Sequence, residues 1–227
     1  MSSPNLLYDA IAIDGPAASG KSTVARLLAE RLNLIMVNSG EMYRAVTLAV
    51  MQHGVNPCDP ITVADLVKTI NLCCIVENGG SQILLDGEYP GSALRSDNVN
   101  AAVSAVAAVP EVRHLLVALQ RGLLQHGDLV MEGRDIGSIV FPNTPYKIYI
   151  EASEEIRRQR RAAEGQTDSV GERDRQDSAR KTSPLVVPDG AEVIDSSQMG
   201  IEEVVKTALG VLETRGWFDR ESERNLV

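Results

Sequence analysis

The sequence predicts an α/β fold, a parallel sheet doubly wound by helices, and three observations carry that expectation. Short apolar runs of strand length alternate with stretches whose apolar residues recur at helical spacing. Five such runs, at 10–13, 34–37, 129–132, 146–150 and 192–194, are separated by helical segments, the pattern of parallel strands joined by crossovers. With 44% apolar residues, 23% charged residues and a mean hydropathy of −0.07, the chain can bury a core and is not compositionally disordered.

Each element follows in order. The run 10–13 ends at Asp14-Gly15, after which Val24, Leu27, Leu28 and Leu32 recur at helical spacing: strand, glycine-rich loop, helix. The run 34–37 is closed by Asn38-Ser39-Gly40 and leads into a helix over 41–53. Asp59 before Pro60 is an N-cap with proline at the first helical position, which predicts a helix over 61–70. Strands at 72–76 and 82–85 flank Asn78-Gly79-Gly80, and Asp86-Gly87 offers a further tight turn. They read as a small antiparallel insertion. Helices follow over 98–109 and 111–125, the second started by Pro110, before the strand and helix alternation resumes. The Arg-rich stretch 151–183 interrupts it, and 217–227 is a charged tail.

A length of 227 residues allows one sizeable core with an insertion, or two small domains. The net charge of −9 and pI near 4.9 argue against a general basic surface, so no nucleic-acid partner is expected. Yet 151–181 holds eight of the 22 Lys and Arg, a density that suits a small anion. Cys58, Cys73 and Cys74 form no metal-ligand spacing, and an odd thiol count suits a reducing compartment. No run approaches 18 apolar residues and no leader pattern opens the chain, so a cytoplasmic protein with no membrane partner is expected; a monomer is a separate expectation.

The chemistry begins at Gly15-Pro16-Ala17-Ala18-Ser19-Gly20-Lys21-Ser22, which matches G-x-x-x-x-G-K-[ST] between a strand and an amphipathic helix. With Thr23 these residues are the expected nucleotide-binding set. Backbone N–H groups and the helix N-terminus would meet phosphate oxygens, Lys21 would reach the β and γ phosphates, and the Ser22 hydroxyl would ligate Mg²⁺. A guanine-reading N-K-x-D is missing, and Asp168 to Gly171, the only D-x-x-G, does not follow a strand, which disfavours a GTPase switch.

Asn38-Ser39-Gly40-Glu41-Met42-Tyr43-Arg44 and Glu132-Gly133-Arg134-Asp135-Ile136-Gly137 both follow strands and converge at the edge where open α/β sheets bind ligands. One arginine there could be a solvated helix face; Arg44 and Arg134 together, beside a phosphate loop, point to phosphate. At these residues the chain resembles the bacterial cytidylate kinase family of the nucleoside monophosphate kinases. The resemblance continues through Val140-Phe141-Pro142, Tyr146 to Ser153, Glu172-Arg173-Asp174, Asp177, Arg180, Pro184-Leu185 and Ile194-Asp195-Ser196-Ser197, covering about residues 8 to 214.

That resemblance implies a P-loop NTPase fold with a five-stranded parallel sheet wrapped by helices, an inserted antiparallel subdomain and a lid. It divides the chain into a core (1–40, 122–150 and 184–227), a CMP-binding domain (41–121, insertion near 65–95) and an Arg-rich lid (151–183). It implies ATP as co-substrate, Mg²⁺, and phosphoryl transfer to CMP and dCMP. Ser39, Tyr43 and Arg44 would surround the CMP phosphate, and Ser104, Arg113 and Asp135 would read cytosine. Arg134 and Arg180 would contact phosphates, acting with Lys21 on the transferred group, while Arg173 and Asp177 would reach ribose or phosphates. On spacing alone, Ser104 and Arg113 could also be plain residues of helix surfaces.

Two departures stand out: Asn38 stands where the family often has Asp, and the connection from Glu154 to Glu172 is short. Arg157, Arg158, Arg160 and Arg161 read as a solvated helix face paired with Glu154 and Glu155. A phosphate monoester has a second pKa near 6 and is already anionic at neutral pH, so no general base is required. His53, His114 and His126 show no catalytic pattern. The competing readings are a kinase for another small acceptor, such as shikimate or a different nucleotide, and an ATP-binding regulator without turnover.

Overall fold

The structure, a computed structural model, describes residues 8–163, 170–180 and 185–220, and the side chains at 170, 172 and 173 also lie outside the described residues. Five parallel strands run in the order β2 (Ile35–Asn38), β5 (Leu129–Gly133), β1 (Ala10–Asp14), β6 (Lys147–Glu151), β7 (Glu192–Asp195). β1 and β5 are buried along their whole length, because helices cover both faces of a parallel sheet.

The predicted insertion differs in one respect. β3 (Leu72–Glu77) and β4 (Gly80–Leu85) form an antiparallel hairpin, and β4 joins the edge of β2 through one parallel bridge, Met36 with Gly80. The sheet therefore has seven strands rather than five. A hairpin edge beside a short parallel edge strand satisfies backbone groups that water would otherwise have to meet.

α1 (Lys21–Leu32) buries Val24, Ala25, Leu28 and Ala29, at the spacing of one helix face, against α8 (Ile201–Thr214) and the sheet. Leu28 is fully buried, which stabilises the fold by about 1.5–3 kcal/mol. α2 (Ser39–Gln52) starts two residues earlier than its pattern suggests, since the Asn38 Oδ1 accepts the Glu41 N–H at 3.2 Å and caps it. α3 (Pro60–Val67) is capped as expected by Asp59, whose carboxylate accepts from Ile61 and Thr62. With α4 (Asp97–Val106) and α5 (Pro110–Gly122), these helices share a core that runs from Met42 to Leu116 and takes in Ile83 of the hairpin.

α6 (Glu154–Ala163) and α7 (Val170–Ser178) occupy the Arg-rich stretch. Among the described residues no single helix is long and apolar enough to cross a membrane.

Candidate active site

Three neighbouring strands end at one place. β1 ends at Asp14, β2 at Asn38 and β5 at Gly133, and from these ends leave the phosphate loop, α2 and a π-turn over Ile136–Val140. Between them and the helices lies a cavity of about 340 Å³. Among the described residues seven basic side chains line it, Lys21, Arg44, Arg95, Arg113, Arg134, Arg161 and Arg180, against three acidic ones, Glu132, Asp135 and Asp177. A chain of charge −9 thus holds a surplus of four positive charges in one cleft, the potential a polyphosphate needs.

Ala17, Ala18, Gly20, Lys21, Ser22 and Thr23 of the phosphate loop line the cavity, whereas Gly15, Pro16 and Ser19 do not. Those three shape the loop instead. A Cβ on Gly15 would collide with the Ile150 carbonyl, at a φ of +152° that side chains rarely adopt. The Pro16 carbonyl accepts from Lys21 Nζ at 3.0 Å, and Ser19 is fully buried, its carbonyl accepting from Arg160 and from Ser196. Lys21 is itself buried and lies 3.9 Å from Glu132 Oε2.

Ser39, Tyr43, Arg44, Ser104, Arg113, Arg134, Asp135, Asp177 and Arg180 all line the same cavity. Ser39 donates to the Glu132 carbonyl at 2.8 Å, and Arg44 donates to the Gly40 carbonyl at 3.1 Å and to Asn100 Oδ1 at 3.4 Å. Ser104 and Arg113 are both buried in the cleft, not surface residues. Arg113 pairs with Asp135, donates to the Ala107 carbonyl at 3.2 Å and lies 5.4 Å from the Tyr43 ring centre. The buried Tyr43 hydroxyl has no hydrogen-bond partner among the described residues, and burial raises its pKa. A Cβ on Gly133 would lie 2.5 Å from Ser39 Oγ, so only glycine lets α2 approach β5 this closely.

Asp177 holds two arginines, accepting from Arg134 Nε at 2.9 Å and pairing with Arg180 through its other oxygen. Burial lowers the Arg180 pKa while Asp177 raises it, and its buried Nε has no partner among the described residues. The side chain of Arg173 lies outside the described residues.

The solvated face expected of α6 holds for Arg158, which pairs with Glu154 and Glu155. It does not hold for Arg157, Arg160 and Arg161. Arg157 is buried, donating to the carbonyls of Ala152 and Ala17 and pairing with Asp174, which in turn accepts the Ala17 N–H at 3.3 Å. Arg160 donates to Ser19 and Ser196 carbonyls, and Arg161 lines the cavity. Local i,i+4 pairing competes here with bare carbonyls of a glycine-rich turn, which accept from a planar guanidinium fork.

Glu132 heads the converging stretch 132–137, but motif reading assigns it no role of its own. It is buried at the end of β5, where it accepts from Ser22 Oγ at 2.8 Å. The signal for it is positional: a carboxylate closing the strand beside the one that launches a phosphate loop. Its oxygens and the Ser22 hydroxyl suit Mg²⁺, which takes one or two protein oxygens and fills its other positions with water and phosphate.

The sequence model of the family described as cytidylate kinase matches residues 11–214. The cytidylate kinase of Rhodococcus opacus is 44% identical over 217 residues, covering 90% of this chain and 95% of that protein. That of Pelotomaculum thermopropionicum is 46% identical over 209 residues (86% and 92%), and that of Pseudomonas aeruginosa 39% identical over 220 residues (91% and 96%). A match that spans both flanks of the cleft and most of each relative has one meaning: this chain belongs to the cytidylate kinase family.

Proposed function

We propose that Lys21, Arg134 and Arg180 carry phosphoryl transfer in an enzyme that is, by family, an ATP-dependent CMP kinase giving CDP and ADP, with dCMP as a second acceptor. The observation that carries the residue assignment is the concentration of positive charge beside the phosphate loop in a chain otherwise strongly acidic. Backbone N–H groups of 18–23 and Lys21 take the β and γ phosphates of ATP. Ser22 and Glu132 would hold Mg²⁺, which would supply neutralisation of phosphate charge.

On the acceptor side, Arg44, Ser39 and Tyr43 flank the monophosphate, and Arg113, Asp135 and Ser104 face the base. The acceptor oxygen is already anionic, so the task is to hold two anions together, not to remove a proton. Arg134 and Arg180, oriented in advance by Asp177, turn their remaining N–H groups to the phosphates as these arrive. The acidic Asp177 also keeps the two guanidinium groups from repelling each other beforehand. The family resemblance assigns Arg173 to ribose or phosphate.

The division into a core (1–40, 122–150, 184–227), an acceptor domain (41–121) and a lid (151–183) belongs to the same proposal. The separate apolar core between Met42 and Leu116 supports it. A coupled ADP assay over CMP, dCMP, UMP, AMP and shikimate tests the acceptor: CMP and dCMP are expected to lead. A larger kcat/KM for shikimate or AMP would refute it.

A further inference from the structure

We propose that Asp14 is a positioning residue for the transfer, fixing Asp135 and Arg134 by clamping the two amides that follow them. The inference rests on the reading that Asp135 faces the base and Arg134 the phosphates.

Asp14 is the last residue of β1, fully buried, and Gly15 of the phosphate loop follows it. Its Oδ1 accepts the Ile136 N–H at 2.7 Å and its Oδ2 accepts the Gly137 N–H at 2.7 Å. These amides open the π-turn, directly after Arg134 and Asp135. The fit is close, since a Cβ on Gly137 would stand 3.2 Å from Asp14 Oδ2, from Lys147 Cδ and from Pro188 Cγ.

Among the described residues no basic side chain forms an ion pair with Asp14. The Asp135 charge works against its ionisation, and Lys21 and the two amides favour it. Burial pushes its carboxyl up to about 7, so its charged form at neutral pH comes at a cost to the fold. A neutral residue would carry no such cost. What a carboxylate alone supplies is two equivalent acceptor oxygens for two adjacent N–H groups; an asparagine would turn an NH₂ donor toward one of them. One side chain therefore ties the strand that launches the phosphate loop to the loop that carries Asp135 and Arg134.

The test compares Asp14→Asn, Asp135→Ala and the double variant in steady-state kinetics, alongside amide hydrogen exchange of Ile136 and Gly137. Asp14→Asn should raise KM for CMP about tenfold or more, leave KM for ATP within about threefold, and lower the CMP to UMP ratio of kcat/KM. A purely structural defect would instead lower kcat for all acceptors alike. If Asp14 acts through Asp135, the double variant has the ratio of Asp135→Ala alone; multiplied effects would overturn the proposal.

Hydrogen exchange judges the clamp independently of what Asp135 reads. Both amides should be strongly protected in the unaltered protein, and one of them should exchange at least about tenfold faster in Asp14→Asn while α1 amides do not change. Rapid exchange in the unaltered protein, a result that needs no variant to fold, would also overturn it. An unchanged ratio in Asp135→Ala, with protection lost in Asp14→Asn, would count against the base reading only and leave the clamp standing.

Discussion

Truncating Asp135 to alanine leaves the Arg113 guanidinium buried without its carboxylate. The two side chains are only 6% exposed each, so little water can take the place of the missing partner. Breaking a buried pair by removing one member costs about 3–5 kcal/mol. Arg113 keeps the Ala107 carbonyl at 3.2 Å and the Tyr43 ring at 5.4 Å, which places the loss near the lower end, about 3 kcal/mol. For a chain of this length that corresponds to a Tm lowered by about 6–12 °C.

Catalysis should suffer selectively. Cytosine offers an N4 donor to a carboxylate and N3 and O2 acceptors to a guanidinium, whereas uracil offers O4 and an N3–H. Each mispaired buried polar group costs about 1–3 kcal/mol, so the intact enzyme should prefer CMP over UMP by about ten- to a hundredfold or more. Asp135→Ala should erode that ratio mainly by losing activity on CMP. Scanning calorimetry and a coupled assay read the two effects. A Tm within about 2 °C of the unaltered protein, together with an unchanged CMP to UMP ratio, would refute the buried-pair reasoning.

Three further outcomes are expected. Lys21→Ala should lower kcat by about 10²- to 10³-fold with a normal circular dichroism spectrum, because it removes a charge aimed at the transferred group; near-normal turnover would contradict this. Gly133→Ala should cost about 1–3 kcal/mol in denaturant titration and raise KM for CMP, since its methyl would press on Ser39 Oγ at 2.5 Å and on Ile136; a neutral effect on both would argue that α2 can retreat from β5. Asp14 has a folded pKa of about 7 against an ordinary 3.8, so between these values the native protein binds the proton that the unfolded chain has released. Stability should therefore be highest below about pH 4 for this group, fall as pH rises to about 7, and level off above. The stability of the unaltered protein relative to Asp14→Asn should fall by up to about 4 kcal/mol as pH rises over that range, and a pH-independent difference would contradict the burial argument.

Local chemistry made much of this fold readable. The phosphate loop is defined by spacing within eight residues, and the parallel strands by apolar runs that a doubly covered sheet demands. Asp59 and Pro60 announce α3 because an N-cap is a contact within one turn. The attachment of the hairpin to the sheet was not readable, because it depends on a single bridge between Met36 and Gly80, 44 positions apart. Nor were Arg157 and Arg160, whose partners on the phosphate loop lie more than a hundred residues away and compete with nearby glutamates that satisfy a local pattern equally well. Glu132 escaped for a different reason: a single buried carboxylate carries no motif of its own and gains meaning only from Ser22 across the strand ends. The early start of α2 came from Asn38, whose amide oxygen caps the helix. A carboxylate at that position would do the same, so Asn38 keeps the cap that an Asp would make.

The most direct measurement is a single turnover with γ-labelled ATP and Mg²⁺, with and without CMP. Label should appear in CDP when CMP is present, with almost none released without it. Release of labelled inorganic phosphate at the same rate whether or not CMP is present would contradict the reading of the cleft as a donor and acceptor site joined for transfer.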